Sequence, residues 1–339
     1  MTLVMGMDQH RGQISAEWID TITGEISRAR IAPADRGTVR TFLARFDGAG
    51  LEVALEATTG WRFLVEEIQR VGAEAHLAEP AETSGLKGNK QRAKTDWADA
   101  RHLRELLLIG RLPESWIAPA HLLDLRARVR CRHTLVHQRT EWQQRMHAVL
   151  YHHGVPHSRK LLTLANRERI AGLKLPAAAR EQLTIAIEMI DAIEIQIGPV
   201  DLALRAIART QPGCRTLIDQ IYGIGPLTSV TILAELGDTR RFANSRDATP
   251  AWTSPSTSQT SRGAAGHLSR QGPPALRWAL YEAAQAARRP SSPDRPYYEQ
   301  LAERIGGNRA CVAIARKLLK RSYHVLRGLG DQALEPVTI

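Results

Sequence analysis

Four acidic side chains are spaced so that they could act together. Asp8 and Glu56 each end a short apolar run of the kind that forms a buried strand. Asp96 and Asp99 lie three residues apart at the start of a helical pattern, so they share one face of that helix. Carboxylates that converge repel one another unless cations lie between them, and hard oxygen ligands suit Mg²⁺ or Mn²⁺. The pattern therefore predicts a divalent-metal site of the kind that promotes phosphoryl transfer.

Each of these acids also has a purely structural explanation. Acids are common at strand ends, and aspartate at a helix N-terminus caps the helix and interacts favourably with its dipole. Capping alone would account for Asp96. A shared site is favoured by the combination of all four positions, which capping does not explain.

The elements that would position the acids follow a mixed α/β pattern. Alternating and apolar runs predict strands at 3–8, 13–20, 25–31, 51–56 and 73–77, and helical spacing predicts helices at 38–46 and 61–71. Three strands in hairpin order, followed by helix, strand, helix and strand, predict a mixed α/β sheet with a helix-covered face. Residues 83–94 have no apolar period and are predicted to form a mobile basic loop. Four cations of that loop are predicted to contact a nucleic-acid backbone: Lys87, Lys90, Arg92 and Lys94.

Two long helices are predicted in the middle of the chain, at 122–153 and 176–210. Because little sequence separates them, they predict a helical arm or coiled-coil hairpin. Basic residues occupy the predicted outward positions of the first helix: Arg126, Arg128, Arg130, Arg132, Arg139 and Arg145. This face is predicted to contact nucleic acid, with Arg126 and Arg130 as the leading candidates.

Residues 211–330 are predicted to be mainly helical, with helices at 228–236, 274–288, 297–305 and 308–327. The segment 222–229 is typical of a helix-hairpin-helix turn, in which Gly223 and Gly225 would let backbone amides approach a phosphate. A plain loop between helices is the competing explanation. The last predicted helix carries four cations at helical spacing that are predicted to contact a sugar-phosphate backbone, with a solvated helix face as the alternative: Arg316, Lys317, Lys320 and Arg321.

The charge balance indicates the class of partner. The 339 residues include 46 Lys and Arg against 35 Asp and Glu, a net charge of +11, which favours a polyanion. No run approaches the roughly 20 consecutive apolar residues of a membrane span, so we expect no membrane partner. Three separated cysteines fit a reducing compartment, and the first eight residues lack the pattern of a secretory signal. We therefore expect a cytoplasmic, nucleoid-associated protein.

Three segments carry a resemblance to a known family: Met5–Asp8 (MGMD), Ala54–Gly60 (ALEATTG) and Lys94–Arg101 (KTDWADAR). They resemble the three motifs of the DEDD insertion-sequence transposases, which include the Piv-type DNA invertases and recombinases guided by a bridge RNA. The resemblance implies a RuvC/RNase H-like domain at 1–115 that binds Mg²⁺ through the four acids. It further implies a coiled coil for dimerisation at 116–210 and a transposase domain with a nucleophilic serine at 211–330. The implied partners are duplex DNA, a structured guide RNA and further copies of the chain, as a dimer or tetramer.

The C-terminal part matches the family signature on both sides of one divergent segment. Residues 266–280 and 306–321 resemble that signature, and Arg270 in the first of these segments is a candidate nucleic-acid contact. Between them, 249–265 is polar and broken by proline where the family has an apolar segment and its serine. The serine would fall around 258–259, so Ser258 and Ser261 are the nearest candidates.

A coding explanation for this segment is open to test. Permitted codons for 251–263, read one base earlier, can encode a peptide with the expected apolar pattern and serine. We therefore hypothesise that two compensating frameshifts replaced the segment, which would inactivate this copy. Codons in the gene that are incompatible with the shifted peptide would exclude this. A divergent loop in an active enzyme is the alternative.

The resemblance implies a transposase or site-specific recombinase that cleaves and rejoins DNA through a covalent 5′-phosphoserine link. Because such a link conserves the phosphodiester energy, rejoining needs no ATP. One alternative is a RuvC-like structure-specific endonuclease, which would need only the four acids and would never rejoin the strands. The other is a catalytically inactive remnant that only binds nucleic acid.

Overall fold

The computed structural model describes residues 2–86, 96–158, 160–245, 247–248 and 272–336. They belong to two compact units, Met1–Ile117 and Ala118–Ile339. The first unit holds all of the strands found in the described residues, and the second unit is helical there.

The first unit is built on a five-stranded mixed sheet. Its strands are β1 (Leu3–Gln9), β2 (Ile14–Asp20), β3 (Ile26–Ile31), β4 (Leu51–Glu56) and β5 (Glu74–Ala78). The strand order is β3-β2-β1-β4-β5. The β1–β2 and β2–β3 pairs are antiparallel, whereas the β1–β4 and β4–β5 pairs are parallel. The predicted mixed sheet is therefore confirmed.

Helices cover both faces of this sheet, in agreement with the predicted helix-covered face. The helices are α1 (Arg36–Leu43), α2 (Trp61–Arg70), α3 (Pro80–Gly85) and α4 (Asp96–Leu108). On one face, α1 and α2 pack against the core residues Met7 and Leu55. On the other face, Leu103 of α4 packs against Ala54. Because Ala54 and its two neighbours on β4 are all buried, the strand needs cover on both sides.

Two arginines of α1 form hydrogen bonds with a buried carboxylate of α2. Glu67 is inaccessible to solvent, and its oxygens accept hydrogen bonds from Arg40 Nε at 2.9 Å and Arg36 Nη1 at 3.0 Å. The hydrogen bond from Arg40 is the largest influence, and together the guanidinium groups lower the pKa of Glu67 to about 2 against the opposing effect of burial. Glu67 is therefore ionised at neutral pH and balanced by arginine.

The second unit contains eight α-helices in its described part. They are α5 (Ala120–His152), α6 (Leu164–Ala171), α7 (Ala177–Thr210), α8 (Pro212–Gln220), α9 (Pro226–Leu236), α10 (Pro274–Gln285), α11 (Arg295–Ile305) and α12 (Gly307–Leu329). Both predicted long helices are present as α5 and α7. They run antiparallel, because Arg132 pairs with Asp201 and Arg139 pairs with Glu194 at 2.7 Å.

The predicted outward position of Arg132 is wrong. Its side chain is only 12% exposed, because it is bonded to Asp201 on α7 and lies over the ring of Trp278. The apolar period of α5 could not reveal this, since it shows which residues pack but not which polar residues meet a partner on another helix.

Candidate metal centre and nucleic-acid contacts

Two of the predicted acids lie at the carboxyl edge of the sheet. The parallel register aligns Met7 of β1 with Leu55 of β4, so Asp8 and Glu56 are the next residues on neighbouring strands. Met7 and Leu55 belong to the core on the α1–α2 face. Because side chains alternate along a strand, Asp8 and Glu56 belong to the opposite face, which α4 covers.

Gly6 lets α4 approach this face closely. A Cβ at this position would lie 2.7 Å from the backbone nitrogen of Arg104 and closer still to the carbonyl oxygen of Ala100. Both atoms belong to the backbone of α4, so a side chain at residue 6 would force the helix away from β1. The glycine in the MGMD segment thus allows the first turn of α4, with Asp96 and Asp99, to reach the end of β1.

The side chains of Asp8, His10 and Asp96 meet at this edge. His10 Nε2 lies 3.1 Å from Asp8 Oδ2 and 3.6 Å from Asp96 Oδ1. One ligand atom from each residue lies within 4.8 Å of the others. Gln13 Nε2 donates to Asp96 Oδ2 at 3.0 Å, which orients the second carboxylate. The Asp8 side chain is 13% exposed, so the group is accessible from one side.

The electrostatics of Asp8 favour an added cation. Burial raises the pKa of the Asp8 carboxyl above its ordinary value, His10 lowers it, and the neighbouring charges of Asp99 and Asp96 raise it again. The negative charge of ionised Asp8 is therefore only partly balanced by His10. Two carboxylate groups and an imidazole that face one point fit a divalent cation.

The structure thus gathers Asp8 and Asp96, and it holds Asp99 near enough to influence Asp8. Glu56 is half-buried at the register position beside Asp8. Sequence reasoning missed His10 and Gln13. His10 had no usable signal, because it lies one residue beyond the end of β1 and its approach to Asp8 depends on the turn that follows. Gln13 had none, since its contact depends on the β1–β2 turn.

The two glycines of the predicted helix-hairpin-helix lie in the turn between α8 and α9. Gly223 has φ +93°, and a Cβ there would lie 2.6 Å from the carbonyl oxygen of Ala283 on α10. The backbone N–H of Gly225 donates to Thr228 Oγ1 at 2.8 Å. In this structure Gly223 therefore permits close packing against α10, and the amide of Gly225 is already bonded.

Arg126 and Arg130, predicted to contact nucleic acid, bind the end of α9. Arg126 Nε donates to the carbonyl oxygen of Ala234 at 2.6 Å, which satisfies a helix-terminal acceptor. Arg130 forms two hydrogen bonds of 2.8 Å with the buried carboxylate of Glu235. Arg126 is half-buried, so its predicted outward orientation is wrong. The guanidinium of Arg130 is still 58% exposed.

Two of the four α12 cations share the carboxylate of Asp294. Lys317 Nζ lies 2.9 Å from Asp294 Oδ1, and Arg321 Nη1 lies 2.6 Å from Asp294 Oδ2. Lys320 is exposed and Arg316 is half-buried. The remaining predicted residues lie outside the described part of the chain: Lys87, Lys90, Arg92, Lys94, Ser258, Ser261 and Arg270.

Comparisons with known proteins place the chain in a family. Residues 5–154 match the DEDD transposase family of IS110, and residues 215–299 match the family described as Transposase IS116/IS110/IS902. The chain therefore belongs to the DEDD insertion-sequence transposases.

A curated relative is similar to this chain over part of its length. It is the transposase for insertion sequence element IS1111A of Coxiella burnetii (strain RSA 493 / Nine Mile phase I), with 28% identity over 210 residues. The match covers 57% of this chain and 56% of the relative, so the chain spans just over half the length of that relative. Among the described helices, none has the length and apolar character required to cross a membrane.

Proposed function

We propose that this chain is a transposase that cleaves and rejoins the DNA of an insertion sequence, with a divalent metal held by Asp8, Asp96, Glu56 and Asp99. The observation that carries the proposal is the meeting of Asp8, His10 and Asp96 at the edge of the sheet. Acids of this kind recur in sites that act on phosphodiesters. The strand order, three antiparallel strands followed by two parallel ones, supports a RuvC/RNase H-like fold for residues 1–115.

Mg²⁺ or Mn²⁺ in this site would stabilise the negative charge that develops on the scissile phosphate. The chain's own residues prepare the site. Gly6 admits α4 to the sheet, while His10 and Gln13 fix the orientation of Asp8 and Asp96. Preorganised ligands avoid a reorganisation cost at the moment of reaction.

The rejoining step needs a nucleophile, and we assign it to a serine of the C-terminal part, with Ser258 and Ser261 as candidates. Its Oγ would attack phosphorus, the bond to the 3′ oxygen would break, and that oxygen would leave as a 3′ hydroxyl. The 5′ phosphate stays on the serine. Attack by a 3′ hydroxyl on this ester restores the phosphodiester and frees the serine.

The cationic surplus of the chain supports binding of duplex DNA and of a structured guide RNA. On α12, Lys320 is exposed and suited to backbone contact, whereas Lys317 and Arg321 share their charge with Asp294. Co-purification tests the RNA partner. Protein isolated without nuclease should carry a discrete RNA, and removal of that RNA should abolish recombination but leave duplex binding.

An exposed apolar stripe on α7 supports assembly with a second copy. Ile195 and Leu202 lie seven residues apart, on one face of the helix, and are 70% and 68% exposed. Such spacing is typical of a coiled-coil seam. Ile195→Glu with Leu202→Glu should convert an oligomer to a monomer in light scattering, while Gln196→Glu, an exposed neighbour off the stripe, should not. An unchanged mass in the double variant would contradict the role of this stripe.

Plasmid carrying the gene with its own flanking DNA tests the proposed function. Wild-type protein with Mg²⁺ should yield recombined DNA and a covalent protein–DNA adduct, whereas Asp8→Asn and Asp96→Asn should yield neither. Asp47→Asn, an exposed acid on a loop of the same unit, is the matched control and should behave as wild type. Cleavage without an adduct would instead identify an endonuclease that never rejoins. No activity of the wild type in this assay would identify an inactive remnant.

Substitution of each candidate serine tests the nucleophile. Ser258→Ala or Ser261→Ala should remove the adduct while metal binding and DNA binding persist. An adduct that survives in the double variant would exclude both residues.

A further inference from the structure

A basic and aromatic surface adjoins the acid site. The strand register aligns Asp8 with Ser15, and Ser15 in turn with Arg30 on the edge strand β3. Neighbouring strands are about 4.8 Å apart, so the backbone of Arg30 lies about 10 Å from that of Asp8. Ala29 packs against the core on the α1–α2 face, and Arg28 and Arg30 therefore belong to the same face as Asp8.

Trp97 provides the aromatic part of this surface. It follows Asp96 in the first turn of α4 and is half-buried. The guanidinium carbons of Arg28 and Arg30 lie 5.9 Å and 5.8 Å from the centre of its ring, within the range of cation–π contacts. The indole is thus held next to a metal-site residue by two arginines from another element.

The surface carries a surplus of positive charge. The buried carboxylate of Glu17 pairs with Arg28 at 2.6 Å, with Arg101 at 3.3 Å and with the buried Arg104 at 3.3 Å. Arg104 also lies 3.3 Å from Glu105 Oε1, so three cations share two anions. Arg30 has no carboxylate partner among the residues that the structure describes, and it is exposed. Together these groups suit a polyanion.

We propose that Trp97, Arg28 and Arg30 form a platform for an unpaired nucleotide of the DNA strand that is cleaved at the acid site. This inference rests on the proposed function and adds a substrate feature to it. An indole next to guanidinium groups binds a nucleobase by stacking, while the arginines contact the neighbouring phosphates. A base within a duplex is stacked between its neighbours and cannot stack on the indole. The platform therefore selects DNA that is unpaired beside the cleaved bond.

Binding measured without metal tests the platform separately from catalysis. The full-length protein is titrated into fluorescent oligothymidylate in the presence of EDTA, and anisotropy is recorded. Trp97→Ala should weaken binding about 5- to 100-fold, the range for loss of one stacked base. Trp97→Phe, which retains an aromatic face, should stay within about threefold of wild type. Arg30→Gln should weaken binding, whereas Arg45→Gln should not, because Arg45 lies over Phe42 and Phe46 on the other face of the sheet.

A cross-link shows whether the base lies at this position. With 5-iodouracil in the oligonucleotide, light should attach it to the tryptic peptide 95–101, which contains Trp97. Cross-links only to other peptides would overturn the proposal. So would wild-type affinity in Trp97→Ala, or an equal loss in Trp97→Phe. A loss seen with oligouridylate but not with oligothymidylate would overturn the assignment to a DNA strand.

The two proposals fail in different ways. If Asp8→Asn still recombines plasmid DNA, the metal-site function is wrong, and the oligonucleotide result is unaffected. If wild-type protein recombines DNA while Trp97→Ala binds oligothymidylate as tightly as wild type, only the platform is wrong.

Discussion

Gly6→Ala tests how the fold brings α4 to the acid site. The added Cβ would clash with the carbonyl oxygen of Ala100 and lie 2.7 Å from the nitrogen of Arg104. Both are backbone atoms, so no side-chain rotation relieves the clash, and α4 has to retreat by about 1 Å. Overpacking of this kind costs about 1–3 kcal/mol of stability. A displacement of about 1 Å in a catalytic group can reduce the rate about 100-fold, and α4 carries Asp96.

Denaturant unfolding and plasmid recombination measure the two effects. Gly6→Ala should lower the free energy of unfolding by the amount above and reduce recombination about 100-fold. Gly85→Ala is the matched control, because no atom of the described residues lies within 4 Å of a Cβ built there. Wild-type stability and activity in Gly6→Ala would refute the role assigned to this close approach.

Three further predictions concern charge, thiols and salt. Glu67→Gln should reduce stability by about 1–3 kcal/mol at pH 7, a modest range because Arg40 is half exposed. Since the pKa of Glu67 is held at about 2, its ionised form stabilises the fold fully above pH 4.5, and that contribution is lost as the pH falls towards 2. Of the three cysteines, only the exposed Cys131 should react with a thiol reagent in the folded protein, because Cys214 and Cys311 are buried, and burial raises the pKa of Cys214 to about 12. DNA affinity should fall at least about tenfold between 50 and 200 mM salt.

Each of these predictions has a contradicting result. An acid-unfolding curve of Glu67→Gln that matches wild type between pH 4.5 and 2 would contradict the first. Rapid reaction of two or three thiols before denaturant is added would contradict the second. DNA affinity that does not change with salt would contradict the third.

The sheet was predictable from local patterns. The strand ending at Glu56 was predicted with its observed bounds, because a compact apolar run ended in an acid. Hairpin order did not decide which strand β4 would join, and the structure pairs it with β1. The sequence predicted only that Asp8 and Glu56 would meet at one edge of the sheet if their strands were neighbours, and the observed register makes them neighbours.

The rest required tertiary contacts. Nothing in the sequence around Gly6 indicates that the backbone of α4 packs against it. The contact of Gln13 with Asp96 joins residues that are 83 positions apart in the sequence. Arg126 was predicted to face outward because helical periodicity locates the apolar stripe but not the carbonyl groups at the end of another helix. The short helices α6 and α8 were missed, since eight or nine residues give little periodicity.

Binding of Mn²⁺ tests the central claim most directly. In the full-length protein, the electron paramagnetic resonance signal of free Mn²⁺ should fall as the ion binds, and Mg²⁺ should restore the signal by competition. Asp8→Asn and Asp96→Asn should each abolish this binding, while Asp47→Asn should retain it. Undiminished Mn²⁺ binding in the Asp8→Asn, Asp96→Asn double variant would contradict a metal centre at the edge of this sheet.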